Sequence, residues 1–142
     1  MDQELEDFLN LMGEAERAGG RVLHELIDLA QSAELRELLK KVGHDEGYYA
    51  GELAGQVRRL GGKPSNRTGD FVEKVRAIAA LPDKLALLNR GQRWVIKRIN
   101  EKIPAIPDEN LKAFLTVMAQ GHELNIGALE EALRRGLAQA EH

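Results

Sequence analysis

Four polar residues interrupt the apolar stripes of four long helical segments, each near the middle of its segment. They are Glu16, Glu46, Gln92 and His122. A carboxylate that faces a protein core is unfavourable unless a partner compensates it, so we expect these side chains to face one another. Two carboxylates and one imidazole form a ligand set that suits Fe(II), Mn(II) or Zn(II). The sequence therefore raises the hypothesis of one metal ion held by Glu16, Glu46 and His122.

Two more polar residues are spaced so as to accompany these ligands. Tyr49 follows Glu46 by three residues, and Asn125 follows His122 by three. Residues at that spacing share one face of a helix, so both are predicted to surround the ligands together with Gln92. A site without any cofactor is the alternative. In it, a protonated His122 bridges the carboxylates, and the polar neighbours complete a hydrogen-bonded network.

The segments that carry these residues have the period of amphipathic helices, and the alternation typical of strands is absent. Ser32 suits the N-cap of the second helix, and Gly61 and Gly62 end that helix. Pro82 suits the first turn of a later helix. The predicted helices span residues 3–30, 33–60, 70–79, 82–102 and 108–137.

The lengths of the connections predict how these helices are arranged. Short connections join the first two long helices, and also the last two, so each pair is expected to form an antiparallel hairpin. Residues 61–81, which include the short helix, join the two hairpins. This pattern is typical of the all-α, ferritin-like variant of the four-helix bundle. Residues 1–142 suit one such domain, and the helix midpoints should bring the four polar residues into one layer.

Five segments, in this order and spacing, resemble the ferritin-like superfamily, and most of all a small bacterial branch related to the rubrerythrins. These segments are EAERAGGRVL (14–23), GHDEGYYAGEL (43–53), RRLGGKPS (58–65), LLNRGQRWVIKRI (87–99) and GHELNIGALEEAL (121–133). The resemblance implies that Glu16 and Glu46 are metal ligands.

The chain departs from the di-iron ligand set of that superfamily on three helices. Tyr49 stands where the superfamily has a histidine, and Gln92 where it has a glutamate. His122 and Asn125 replace a Glu-x-x-His pair. A complete set has about four carboxylates and two imidazoles. A full ferroxidase or di-iron oxidase site is therefore not present, and whether the protein is an enzyme stays open.

Composition excludes several other classes of protein. The net charge is −3, with acidic and basic residues interleaved, so a nucleic-acid partner is not expected. The chain has no cysteine, which excludes disulfides and thiolate zinc sites. The N-terminal segment is acidic, and no apolar run is long enough to span a membrane. We therefore expect a cytoplasmic protein without a membrane partner.

Two functions remain from the sequence. The first is transition-metal binding in metal handling or oxidative stress, and the second is a metal-free scaffold that acts as a homodimer. A ridge of glycines and an outward apolar set point to a homodimer interface, unless the crossover helix covers one of them. The ridge is Gly43, Gly47, Gly51 and Gly55, the outward set is Leu87, Gly91 and Trp94, and the crossover helix carries Phe71, Val72, Val75 and Ile78. The remaining histidines, His24, His44 and His142, are expected near the surface.

Overall fold

The computed structural model describes residues 1–139, and this part of the chain is helical with no β-strand. His142 lies outside the described residues, whereas His24 and His44 are exposed, as expected. Five α-helices and one 3₁₀ turn make up the fold. They are α1 (Gln3–Leu29), α2 (Ala33–Arg59), α3 (Phe71–Arg76), α4 (Leu81–Lys102), the 3₁₀ turn (Ile103–Ala105) and α5 (Glu109–Arg134).

Side-chain caps begin three of the four long helices. Asp2, Ser32 and Asp108 each accept a hydrogen bond from the backbone N–H three residues later, over 3.2, 3.2 and 2.8 Å. Such caps satisfy an N–H that has no partner inside the helix. The predicted N-cap at Ser32 is therefore confirmed.

Two helices end three residues earlier than the sequence predicted. The last helix was expected to reach residue 137, but α5 ends at Arg134 because Gly136 takes a left-handed backbone with φ of +74°. The N–H of Leu137 then bonds to the carbonyl of Ala132 over 3.1 Å, a pattern that closes helix C-termini. The crossover helix was expected over 70–79 and spans only Phe71–Arg76.

Ion pairs at the helix ends establish the direction of the long helices. Glu4 at the start of α1 meets Lys102 at the end of α4, with 3.3 Å between Oε1 and Nζ. Arg59 at the end of α2 meets Asp108 at the start of α5, with 2.7 Å between Nη2 and Oδ1. Each long helix packs against two others: α1 against α2 and α4, and α5 against α2 and α4. Hence α1 and α5 run in one direction, and α2 and α4 run in the other.

The apolar core is divided into two clusters, and the four polar residues of the predicted layer lie between them along every long helix. One cluster includes Leu23, Leu35, Leu39, Leu85, Leu88 and Leu129, and the other includes Leu9, Met12, Leu53, Ile99, Leu111 and Leu115. Glu16, Glu46, Gln92 and His122 are each at most 3% exposed. The sequence prediction that they are buried at one level is thus in accord with the structure.

The crossover helix α3 covers part of the outward apolar set of α4, since Gly91 lies beneath it while Trp94 stays 41% exposed. It packs against α1 and α4, and the ring of Phe71 lies over Gly91, where an added Cβ would be 3.1 Å from Phe71 Cζ. Val72 and Val75, which belong to α3 itself, are buried. On the glycine ridge of α2, Gly43 packs against Leu23 of α1, whereas Gly47, Gly51 and Gly55 remain uncovered. Within residues 1–139, the helices all lack the combination of length and apolar character needed to cross a membrane.

Candidate metal centre

Three different helices contribute the predicted metal ligands. Glu16 comes from α1, Glu46 from α2 and His122 from α5, and each side chain offers one ligand atom within 4.8 Å of the other two. Their exposed fractions are 1%, 3% and 1%. The structure therefore brings together the three residues that the sequence predicted, and this buried cluster could hold a metal ion.

The hydrogen bonds around His122 determine which of its ring nitrogens carries a proton. Gln92 donates from Nε2 to Oδ1 of Asn89 over 3.2 Å, which turns its carbonyl oxygen Oε1 towards His122. That oxygen lies 2.9 Å from Nδ1 of His122 and can only accept. Nδ1 therefore carries the proton. Metal-binding histidines are commonly oriented by such a bond from their other ring nitrogen.

The second ring nitrogen of His122 faces a carboxylate at short range. Nε2 lies 2.6 Å from Oε1 of Glu16. A neutral imidazole with its proton on Nδ1 has a lone pair at Nε2, so two acceptors would meet there unless a cation lies between them. In the absence of metal, that cation is a proton on either group.

The carboxylate of Glu16 has a hydrogen-bond partner for only one of its two oxygens. Its Oε2 atom is buried and has no hydrogen-bond partner, which is unfavourable for an ionised oxygen. Burial raises the pKa of Glu16, and the charge and hydrogen bond of His122 lower it by less. The carboxyl group therefore holds a proton more readily than an exposed glutamate does.

Glu46 reaches the same cluster from α2. The absence of a side chain at Gly19 of α1 leaves the space for its carboxylate. A Cβ at Gly19 would lie 3.0 Å from Oε1 of Glu46 and 3.1 Å from its Cδ. Within residues 1–139, no side chain or backbone group donates a hydrogen bond to the Glu46 carboxylate. The side chain is held in place by packing, with ligand atoms of Glu16 and His122 within 4.8 Å of it.

Tyr49 lies against the metal cluster, as predicted for a neighbour of the ligands. Its ring centroid is 5.4 Å from that of His122. The phenol reaches the backbone of α5 at Gly121, where an added Cβ would be only 1.9 Å from Oη. Burial raises the pKa of Tyr49, so the phenol stays neutral.

Asn125 is buried but turns away from the cluster. It donates to Oδ2 of Asp45 over 3.0 Å and accepts from Nζ of Lys41 over 2.7 Å. Those partners lie at the partly exposed rim between α2 and α5. Asn125 was predicted to surround the ligands. It forms no hydrogen bond with them, because Lys41 and Asp45, nearer the surface, bind its amide.

A pocket of about 210 Å³ opens from the cluster between α1 and α4. Glu16, Glu46, Gln92 and His122 line it, and residues 68–71 of the crossover form its outer edge. A route from outside to the buried ligands therefore exists on the side that the crossover covers.

Sequence reasoning missed three residues that shape this site. Asn89 fixes the amide of Gln92, whereas Gly19 and Gly121 make room for Glu46 and Tyr49. Each lies within three positions of a predicted site residue on its own helix. That spacing was the available signal for Asn89 and Gly19, since residues three apart share a helix face.

Comparison with known proteins identifies one family. The family described as "Domain of unknown function (DUF6306)" matches residues 3–131, a range that includes every residue of the site. No curated protein and no solved structure matches the chain.

Proposed function

The chain belongs to the DUF6306 family, and we propose that it is a ferritin-like protein that binds one transition-metal ion through Glu16, Glu46 and His122. The role that follows is metal handling or protection against oxidative stress in the cytoplasm. The observation that carries the proposal is the pair of buried carboxylates without sufficient partners. Oε2 of Glu16 has no hydrogen-bond partner, and Glu46 accepts no hydrogen bond within the described chain.

Charge balance favours a divalent cation at this place. Two ionised carboxylates in a buried site repel each other and lack compensation from lysine or arginine. One divalent ion would neutralise both, while His122 would offer Nε2 as a neutral ligand. The bond from Nδ1 to Gln92, 2.9 Å long, supports that orientation.

The donor set indicates which metals fit. Carboxylate oxygens suit Mn(II) and Fe(II), and an imidazole nitrogen suits Fe(II) and Zn(II). Gln92 and Tyr49 replace the further carboxylate and imidazole that a second ion would need, so the site fits one ion. Bound there, the metal would supply Lewis-acid chemistry, and iron or manganese would also supply one-electron redox chemistry, at the floor of the pocket.

The ferritin-like part of the proposal is supported by the direction of the helices. The first and last long helices run one way and the middle two run the other, with the long crossover between α2 and α4. That order requires one long connection, as in ferritin-like bundles. The clustering of ligands from three helices at mid-length supports the same interpretation.

The test is metal content and metal-dependent stability. Protein purified without a histidine tag or chelator should contain Fe, Mn or Zn by elemental analysis. Metal-free protein should unfold at a higher temperature as one of these ions is added, since a ligand that binds only the folded state stabilises it. Glu52, an exposed carboxylate on α2, provides the control: Glu52→Gln should keep the shift and Glu46→Gln should lose most of it. Absence of both metal content and shift refutes the proposal.

A metal-free homodimer is the second candidate, and the exposed face of α2 favours it. Tyr48 is 58% exposed, and Gly47, Gly51 and Gly55 have open space where a Cβ would lie. A helix face of this kind allows close approach of another backbone, at the expense of helix stability. Trp94 was predicted to share that interface. It lies on α4, which is diagonally opposite α2 among the long helices, so one flat interface does not contain both.

A further inference from the structure

Small residues form part of the lining of the pocket beside the proposed metal site. Ala15, Ala18 and Gly19 face it from α1, and Gly91 faces it from α4. Protein interiors are close-packed, and voids larger than a water molecule are few. A space of about 210 Å³ next to two incompletely partnered carboxylates therefore points to a ligand.

The lining determines the size and polarity of that ligand. Apart from the floor, the walls are mostly apolar, with Leu88, Val95, Phe71 and Trp94 among them. An apolar cavity of about 150 Å³ accommodates benzene. The pocket therefore has room for one ring or a short branched chain together with a small polar head.

The charges around the pocket determine the chemistry of the polar head. Among the described residues that line it, none is a lysine or arginine, and Glu14 and Asp70 stand near its outer edge. These two carboxylates are paired with Arg67 and Lys74, so an anionic ligand inside the pocket would find no free basic side chain on the described lining and would remain unpaired in an apolar space. With a divalent ion neutralising Glu16 and Glu46, a cationic head would also lack a partner. The polar head of the ligand is therefore neutral and carries a lone pair.

We propose that the pocket between α1 and α4 binds a small, neutral, mostly apolar molecule whose single nitrogen or oxygen donor faces the metal held by Glu16, Glu46 and His122. This inference rests on the proposed metal site and names the class of its substrate or effector. The crossover residues 68–71 form the entrance, and the small residues of α1 define the shape of the space.

The test uses protein loaded with Co(II), whose visible absorption reports its ligands. 4-Phenylimidazole, which has a neutral nitrogen donor and one aromatic ring, should change the Co(II) spectrum. It should bind at least about tenfold more tightly than imidazole, because burying a ring of that size is worth a factor of this order. Equal affinity of the two compounds, or an unchanged spectrum, overturns the inference.

Two variants distinguish a change in the pocket from a change in metal binding. Ala15 is a partly exposed lining residue, so Ala15→Leu should keep the Co(II) spectrum and weaken 4-phenylimidazole at least about tenfold. Ala113→Leu, at an exposed site on α5, is the control and should change neither. If a folded Ala15→Leu protein still binds 4-phenylimidazole more tightly than imidazole, as wild type does, the ligand does not occupy this pocket and the inference is overturned. If no Co(II) spectrum develops in wild-type protein, the proposed metal function itself fails and this inference fails with it. If Ala15→Leu does not fold, the comparison of the two imidazoles on wild-type protein decides.

Discussion

Nε2 of His122 and Oε1 of Glu16 lie 2.6 Å apart, with each residue 1% exposed. Since Nδ1 of the same ring donates to Gln92, this contact requires a proton between the two atoms, and a metal ion held by both residues would replace that proton. Metal binding at this pair therefore displaces a proton. Because of that displacement, metal affinity depends on pH.

The first prediction is that metal binding releases a proton. The 2.6 Å contact places a proton between Glu16 and His122 in metal-free protein, and burial favours that proton because it raises the pKa of Glu16. We expect release of about one proton per ion and a metal affinity that falls as the pH is lowered. Calorimetric titration with Zn(II) in buffers of different ionisation enthalpy measures the number released. The same apparent enthalpy in every buffer would exclude the exchange.

The second prediction concerns the pH dependence of stability without metal. The folded pKa of Glu16 lies above its ordinary value of 4.5. From that value upwards, the unfolded chain has lost the proton while the folded protein keeps it, so stability falls as the pH rises towards the folded pKa. Glu16→Gln removes this titration. We expect the variant to gain in free energy of unfolding relative to wild type as the pH rises, by denaturant unfolding at several pH values. A constant difference between the two proteins would contradict the raised pKa.

The third prediction separates charge from shape at Glu46. In metal-free protein, Glu46→Gln keeps the shape of a buried side chain and removes its charge, so it should be neutral or stabilising. Glu46→Ala leaves a cavity and should destabilise by about 2–4 kcal/mol. Both variants should lose most of the metal-induced rise in unfolding temperature. Denaturant unfolding with and without metal measures these effects. A wild-type metal response in Glu46→Gln would show that Glu46 is not a ligand.

The fourth prediction compares two consecutive glycines of α1. A Cβ at Gly19 would be 3.0 Å from Oε1 of Glu46, whereas a Cβ at Gly20 would meet nothing within 4 Å. Gly19→Ala should displace the Glu46 carboxylate and weaken metal binding at least about tenfold, since metal sites tolerate little movement of a ligand. Gly20→Ala should leave metal binding unchanged and stabilise the helix by about 0.5–1 kcal/mol. Calorimetry with Zn(II) on both variants decides, and equal metal affinity would show that Gly19 has no part in positioning Glu46.

The fifth prediction concerns the second candidate, the homodimer. If α2 forms the interface through its open glycine face, Gly51→Arg should produce a monomer by light scattering at high concentration. Trp94→Asp should leave the dimer intact, because Trp94 lies on the diagonally opposite helix α4. A monomeric wild-type protein refutes the homodimer, and a dimer that survives Gly51→Arg places the interface on another surface.

The helices and the polar layer could be predicted from the sequence because local physics determines both. Apolar periodicity and the N-cap at Ser32 indicated where the long helices begin, and the structure adds caps at Asp2 and Asp108 that were not predicted. The burial of Glu16, Glu46, Gln92 and His122 follows from their positions on those apolar stripes. Short connections then bring the mid-helix positions to one level.

The tertiary structure alone decided the partner of each buried polar atom. Helical periodicity gives the face of a residue but not the rotation of its side chain or the approach of a neighbouring helix. Thus Asn125 and Gln92 lie on equivalent stripes, yet Asn125 bonds to Lys41 and Asp45 while Gln92 bonds to His122. The pocket has the same origin. It forms where residues 68–71 lie across the small side chains of α1 and α4, and no pattern within one helix specifies how a distant segment packs on it.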